Sequence, residues 1–309
     1  MFHGGAIDPR KGDIRMKRTV RVGGTAFAPS AALGSGNLAQ MLADIDRVAA
    51  MGLDLVVFPE VCLQGYRGGL DPRTRRETLA WLHRTAEPVP DGPAVQQIAA
   101  RARSHGIHVV YGLTELDASG ASLHNTAVLT GPDGHIGSYR KVHLGPGERY
   151  AWNAGDRWPV FETEIGRIGL MICYDKVWPE AARELALGGA QLVAAPAAWP
   201  VSWSGDVKVS PDLIWDLEGV RALENSVWVV TANYAGEIGG TRYDGRVKIF
   251  SPDGTVVAET GSTDEWSLAH ADVDLQGGIW ASHAAWLGER LSRDRRPETY
   301  RRSAASARD

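Results

Sequence analysis

RIGLMICYDKVWPEAARELALGGAQLVAAPAA, residues 167–198, reads as strand, sharp turn, helix and strand in succession. RIGLMIC is a continuous apolar run of strand length, as a strand buried on both faces requires. Pro179 suits the first turn of a helix, where its missing N–H costs nothing. Gly188 and Gly189 supply the stop. QLVAAPAA is again apolar and strand-length. A buried strand, a crossing helix and a second buried strand form the repeating unit of an α/β protein.

The alternation continues on both sides. NLAQMLADIDRVAAMG (residues 37–52) puts Leu38, Met41, Leu42, Ile45 and Val48 on one helical face. LDLVVFP (53–59) follows as a buried strand. GPAVQQIAARARSHG (92–106) is a helix stopped by Gly106, and IHVVYGLTE (107–115) a strand. HNTAVLTGPDGHIGSYRK (124–141) is a hairpin turned at Pro132-Asp133-Gly134. PDLIWDLEGVRALENS (211–226) is a helix and VWVVTANY (227–234) a strand. VKIFSPDGTVVAE (247–259) repeats the strand–PDG–strand pattern, which suggests two similar halves. Two sheets packed face to face with helices outside would bury these strands. No Pro/Ser-rich linker interrupts the chain, so residues 19–290 are expected to form one domain. Residues 1–18 are expected to be a poorly ordered N-terminal extension. Residues 291–309 read as a charged C-terminal tail. The pairs Gly23-Gly24, Gly68-Gly69 and Gly239-Gly240 match no phosphate-cradling loop and read as turns.

Composition narrows the function classes. The chain has 309 residues, 44% of them hydrophobic and 23% charged, which is ordinary for a globular protein. A net charge of −4 gives no reason to expect nucleic acid or an acidic membrane as partner. No apolar run approaches the length of a membrane span. The first residues lack the apolar core of a secretory signal. Two cysteines make no disulfide framework, so a reducing cytoplasm is the expected compartment. The histidines lack a metal-ligand spacing, and neither metal nor cofactor is expected.

Three apolar runs each end on a reactive side chain. LDLVVFPE delivers Glu60, HIGSYRKVHL delivers Lys141, and RIGLMICYD delivers Cys173. A thiol, an amine and a carboxylate are the parts of a covalent acyl-transfer site. Cys attacks as thiolate. A nearby Lys⁺ favours the thiolate and stabilises an oxyanion. A Glu takes the thiol proton and passes it to the leaving amine. Taken singly, Cys173 reads first as a packed core thiol and Lys141 as a solvated strand end. Glu60 directly behind LVVF must surface or be held by a cation.

The context of these residues resembles the nitrilase superfamily of carbon–nitrogen hydrolases over most of the chain. The matching segments are PEVCLQGY (59–66), YRKVHL (139–144), GLMICYDKVWPE (169–180), RALENSVWVVTAN (221–233) and DRRPETY (294–300). The resemblance implies a four-layer αββα sandwich and a Glu–Lys–Cys triad at Glu60, Lys141 and Cys173. It implies that Glu148 orients the lysine and helps to position substrate. It also implies an even-numbered homo-oligomer, a dimer or larger, with part of the tail packed on a partner subunit. The strand-to-helix turn at Cys173 leaves the Tyr174 N–H free to join Lys141 at the oxyanion.

Cys-Tyr-Asp is similar to amidase members, which implies a small-molecule primary carboxamide as substrate and an acid and ammonia as products. A nitrilase or an N-carbamoyl amide hydrolase would use the same triad, and Lys176 is the one basic residue just after the cysteine. A catalytically silent member acting as a binding protein is the reading from another class. Tyr66 and Trp199 are the expected substrate walls, suited to a bulky or apolar acyl group. Two departures, His124-Asn125 and Gly245-Arg246-Val247, fall near expected pocket or interface positions.

Overall fold

The computed structural model describes residues 19–29, 36–66, 75–201, 216–238, 240–282 and 295–300. The N-terminal extension expected for residues 1–18 lies outside the described residues, as do Gly68-Gly69, Gly239 and most of the C-terminal tail.

The first half supplies β1 (Val20–Phe27), α1 (Asn37–Ala50), β2 (Leu55–Val57), α2 (Arg75–Thr85), α3 (Pro93–His105), β3 (His108–Leu116), β4 (Leu123–Gly131) and β5 (Gly134–Arg140). The second supplies β6 (Val160–Thr163), β7 (Gly166–Leu170), α4 (Pro179–Leu187), β8 (Leu192–Pro196), α5 (Leu217–Asn225), β9 (Trp228–Ile238), β10 (Thr241–Asp244), β11 (Lys248–Phe250), β12 (Val256–Glu259) and β13 (Ser267–Val273). Two short helices follow, α6 (Leu275–Ser282) and α7 (Pro297–Tyr300).

One sheet runs β13-β1-β2-β3-β4-β5, with β1, β2 and β3 parallel. The other runs β6-β7-β8-β9-β11-β12, with β7, β8 and β9 parallel. They join where Ala26 and Phe27 of β1 pair with Asn233 and Tyr234 of β9. The free ends of the path also approach each other. A Cβ on Gly137 of β5 would stand 2.1 Å from the Phe161 ring of β6. The result is a nearly closed sheet flanked by helices, an αββα sandwich.

The two-residue period of a strand explains the layers. Leu55 and Val57 of β2 point between the sheets, with Val110, Ile168, Leu170, Leu192, Ala194 and Val230. Val56 and Phe58 point the other way, onto Met41, Ile45 and Val48 of α1 and Val95 and Ile98 of α3. In the second sheet Val193, Ala195 and Val229 face outward onto Ala182 and Leu185 of α4 and Ala222 of α5. The central strands β2, β7 and β8 are therefore buried on both faces, which is why their runs are continuously apolar. Burying one such side chain contributes about 1.5–3 kcal/mol.

Gly23-Gly24 is a correction to the sequence reading. The pair lies inside β1, where no turn occurs. A Cβ on Gly24 would meet the Thr231 carbonyl oxygen at 1.9 Å, and one on Gly23 would meet the Leu53 side chain at 2.6 Å. Here glycine permits close approach of neighbouring backbone and side chains rather than a reversal. Gly240 does sit at φ 79° beside the β9–β10 hairpin, as a turn glycine would.

Candidate active site

β2, β5 and β7 all point the same way through their sheets, so their C-terminal ends lie along one edge. Glu60 follows β2, Lys141 follows β5, and Cys173 follows β7. All three side chains are buried. In open α/β sheets that edge is where ligands bind.

The Lys141 ammonium donates to Glu60 Oε1 at 2.6 Å and to Glu148 Oε1 at 2.9 Å. Asn125 Nδ2 bridges the same two carboxylates, at 2.7 Å from Glu60 Oε1 and 3.4 Å from Glu148 Oε1. The other oxygen of Glu60 accepts the Ala198 N–H at 3.0 Å. The Cys173 thiol lies near enough to the Glu60 carboxylate and the Ala198 backbone for each to bear on its proton affinity. Glu148 accepts the Gly145 N–H and, at 3.1 Å, the Tyr66 hydroxyl. The fold thus brings Glu60, Lys141, Glu148, Tyr66 and Cys173 into one cluster.

Burial sets the proton affinities. It pushes Glu60 up to about 7, against the pull of Lys141 and with the help of the Glu148 charge. Burial alone would lower Lys141, but Glu148 and Glu60 raise it well above the ordinary lysine value. Burial would raise Glu148, yet the Lys141 charge and its hydrogen bonds hold it below the usual carboxylate range. Cys173 is pushed well above the usual thiol value, first by burial and then by the Glu60 charge. The resting cluster is therefore a neutral thiol beside a carboxylate poised near neutrality, with a permanent Lys⁺ behind it.

Strained backbone lies at Cys173 and directly after Glu60. Cys173 has φ 48° and Val61, just after Glu60, has φ 49°. Such backbone persists only where surrounding contacts fix it. Cys173–Val177 is a 3₁₀ turn. Asp175, fully buried, holds it by accepting the Ile172 N–H and the Tyr139 hydroxyl on Oδ2 at 2.9 and 2.8 Å. Its Oδ1 accepts the His143 N–H and Nδ1 at 2.9 and 3.0 Å. One carboxylate thus ties the Cys173 turn to the Lys141 segment. At Val61, Gly112 of β3 makes the room, because a Cβ there would lie 2.2 Å from the Val61 nitrogen.

The expected substrate walls take different positions. Tyr66 stacks on Trp152, centroids 6.1 Å apart, with its hydroxyl turned to Glu148. Trp199 is buried in the core between the sheets, next to Ala198, with the Lys176 ammonium 4.2 Å from its ring centroid. Tyr174 is half-buried in the first turn after Cys173, edge-on to Trp178. Sequence reasoning missed Asn125, Asp175 and the Ala198 N–H as partners of the cluster. Asp175 had a local signal, an acidic residue placed to cap the turn that follows a strand. Asn125 had only its place in a departure near the expected pocket, and Ala198 had no signal. Among the described residues no group of three or more His, Cys, Asp or Glu could hold a metal ion. None of the described helices is long and apolar enough to cross a membrane.

Comparison with known proteins identifies the family. Residues 24–279 match the family model described as carbon-nitrogen hydrolase. A protein named nitrilase from Pyrococcus abyssi is 35% identical over 75% of this chain and 80% of its own length. An (R)-stereoselective amidase from Pseudomonas sp. is 32% identical over 72% of this chain and 74% of its own. Among solved structures, a variant of the amidase from Nesterenkonia sp. AN1, with the acetamide moiety of fluoroacetamide added covalently at its active-site cysteine, superposes with a TM-score of 0.73. It is 25% identical and covers 91% of this chain and 95% of that one. The chain therefore belongs to the carbon–nitrogen hydrolase family and is a hydrolase of the nitrilase superfamily.

Proposed function

We propose that the protein is an amidase that hydrolyses a primary carboxamide to acid and ammonia through a thioester on Cys173. The observation that carries this reading is the buried Glu60–Lys141–Glu148 cluster with the Cys173 thiol against Glu60. Glu60 takes the thiol proton as sulfur attacks the carbonyl carbon. Negative charge develops on the carbonyl oxygen, where Lys141 and the Tyr174 N–H stabilise it. Glu60 returns the proton to nitrogen, the carbon–nitrogen bond breaks, and ammonia leaves. Water then gives a proton to Glu60 and attacks the thioester. Collapse releases the acid, and the sulfur regains its proton from Glu60. Glu148 and Asn125 hold Lys141 and Glu60 in register throughout.

The covalent adduct in the Nesterenkonia amidase supports the same nucleophile here. Cys173-Tyr174-Asp175 favours an amide over a nitrile, and the flat faces of Tyr66 and Trp199 favour a bulky or apolar acyl group. Trp178 just before α4, Leu187 at its end and Val220 on α5 are exposed apolar residues. A twofold contact there would brace the Cys173 turn from outside, and we assign the protein an even-numbered homo-oligomer on that ground. Two free thiols suit a reducing cytoplasm.

Ammonia release decides the reaction class. The panel is acetamide, longer aliphatic amides, arylalkyl amides, the matching nitriles and N-carbamoyl amino acids. Larger amides are expected to be hydrolysed fastest. Faster hydrolysis of nitriles than of every amide would overturn the amidase reading.

A further inference from the structure

Glu60 and Cys173 belong to different sheets. Glu60 follows β2 and Lys141 follows β5 in the first sheet, whereas Cys173 follows β7 in the second. The separation of base and nucleophile therefore depends on how the two sheets are registered. β9 of the second sheet pairs with β1 of the first, and its residues at that junction are Asn233 and Tyr234. Neither takes part in the reaction above. Both are buried, at 1% and 0% exposure.

Successive side chains of a strand point to opposite faces. Tyr234 points outward, among Phe27, Cys62 and Tyr243. Its hydroxyl donates to the Glu60 carbonyl oxygen at 3.0 Å and accepts the Tyr66 N–H at 3.0 Å. It thus closes the loop 60–66 across its mouth. It also grips the peptide that leads into the left-handed Val61. Burial raises its proton affinity well above the usual tyrosine value, so the hydroxyl stays a donor. Asn233 works on the other face. Its Oδ1 accepts the Trp199 N–H at 2.8 Å, and its Nδ2 donates to the Trp199 carbonyl oxygen at 3.2 Å. A backbone N–H only donates and a carbonyl only accepts, so this pairing fixes which way the amide faces. Trp199 directly follows Ala198, whose N–H holds Glu60 Oε2 at 3.0 Å.

Glu60 is consequently held from both sheets. Lys141 and Asn125 of the first sheet hold Oε1. Ala197 and Ala198, which follow β8, and Tyr234 belong to the second. They take the Glu60 N–H at 3.4 Å, its Oε2 and its carbonyl oxygen. Strained backbone beside a reacting group persists only where such contacts over-determine it. A misplacement of about 1 Å can cost about 10²-fold in rate.

We infer that Asn233 and Tyr234 are positioning residues for Glu60: Tyr234 sets its backbone, and Asn233, through Trp199 and the Ala198 N–H, sets its carboxylate. The inference rests on the amidase reading for the role of Glu60 as base.

A double-variant cycle tests it. Tyr234→Phe keeps the ring and removes both hydroxyl bonds. It is expected to lower kcat by about 10- to 100-fold for the amide that the panel above shows to be hydrolysed fastest, with KM within about threefold of wild type. In a Glu60→Gln background the same change is expected to cost no more than about threefold, because Tyr234 acts through Glu60. Asn233→Ala, which releases Trp199, is expected to show the same pattern, and it decides the matter if Tyr234→Phe fails to fold. A second readout needs no turnover: the rate of Cys173 alkylation by iodoacetamide at neutral pH. Tyr234→Phe is expected to slow it by about threefold or more in the wild-type protein and by less than about 1.5-fold in Glu60→Gln. Wild-type kcat in either folded variant, or losses that recur in full in the Glu60→Gln background, overturn the proposal. Loss of folding in both variants would mark a structural role and overturn it as well. If the wild-type protein hydrolyses no amide, the amidase reading ends, and the alkylation cycle alone decides whether Asn233 and Tyr234 act through Glu60.

Discussion

The Lys141 ammonium and the Glu60 carboxylate form a fully buried ion pair, 2.6 Å apart, at the ends of two different strands. Neither charge is tolerable there without the other. Asn125 and the Ala198 N–H complete the set of partners around Glu60. The pair is thus a single unit, and its two members are expected to fail together.

Lys141→Ala and Glu60→Gln should each lower kcat/KM by about 10²–10⁴, the range of a positioned acid–base group. The double variant should lose little more than the worse single one, because residues that act as one unit are not additive. Amide hydrolysis by the three purified variants checks this. Losses that multiply would mean that the two residues act independently.

Activity should rise with pH through about 7, where Glu60 loses its proton and becomes competent as a base. The negative charge of Glu148 helps to raise Glu60. Glu148→Gln removes that charge and leaves Lys141 to Glu60 alone, so the acid limb should move to lower pH while the maximum rate falls. Linkage gives a matching sign for stability. Glu60 binds its proton more tightly folded than unfolded, so its contribution is complete below its unfolded value and is lost as pH rises through about 7. A pH–rate profile whose acid limb stays in place in Glu148→Gln would contradict this electrostatic account.

Asp175→Asn should destabilise the fold and loosen the nucleophile. The buried carboxylate accepts from Ile172, Tyr139 and twice from His143. An amide would turn a donor towards one of these donors, at a cost of about 1–3 kcal/mol for the unsatisfied group. Urea unfolding measures the loss, and the rate of Cys173 alkylation reports the turn. A variant with wild-type stability and labelling would show that Asp175 does not hold the turn.

Gly24→Ala should prevent the protein from folding, since the added Cβ would lie 1.9 Å from the Thr231 carbonyl oxygen. Gly120→Ala is the control. Nothing lies within 4 Å of a Cβ there, and only the φ of 72° is strained, at a cost of about 1–2 kcal/mol. Soluble yield and thermal unfolding separate the two. Equal behaviour would contradict the close β1–β9 approach.

The contrast between segment 167–198 and β1 shows what the sequence could reveal. In 167–198 an apolar run, a proline and two glycines sit where a buried strand and a helix need them, so local chemistry and tertiary fold agree. In β1 Gly24 is there because strand β9 runs close by, and Gly23 because Leu53 and β13 do, reasons that no local pattern carries. β6 and β13 escaped notice because they are partly exposed and alternate little. Glu60, Lys141 and Cys173 stood out because each ends an apolar run. Asn125 and Tyr234 did not, since their partners are tens of residues or more away and meet them only through the sheets.

The most direct test of the account is the intact mass of the protein during turnover of a slow amide, with the modified peptide located by fragmentation. The account predicts an acyl group on Cys173, none on Cys62, and neither adduct nor ammonia from a folded Cys173→Ala variant. Wild-type-like ammonia release by Cys173→Ala would contradict it.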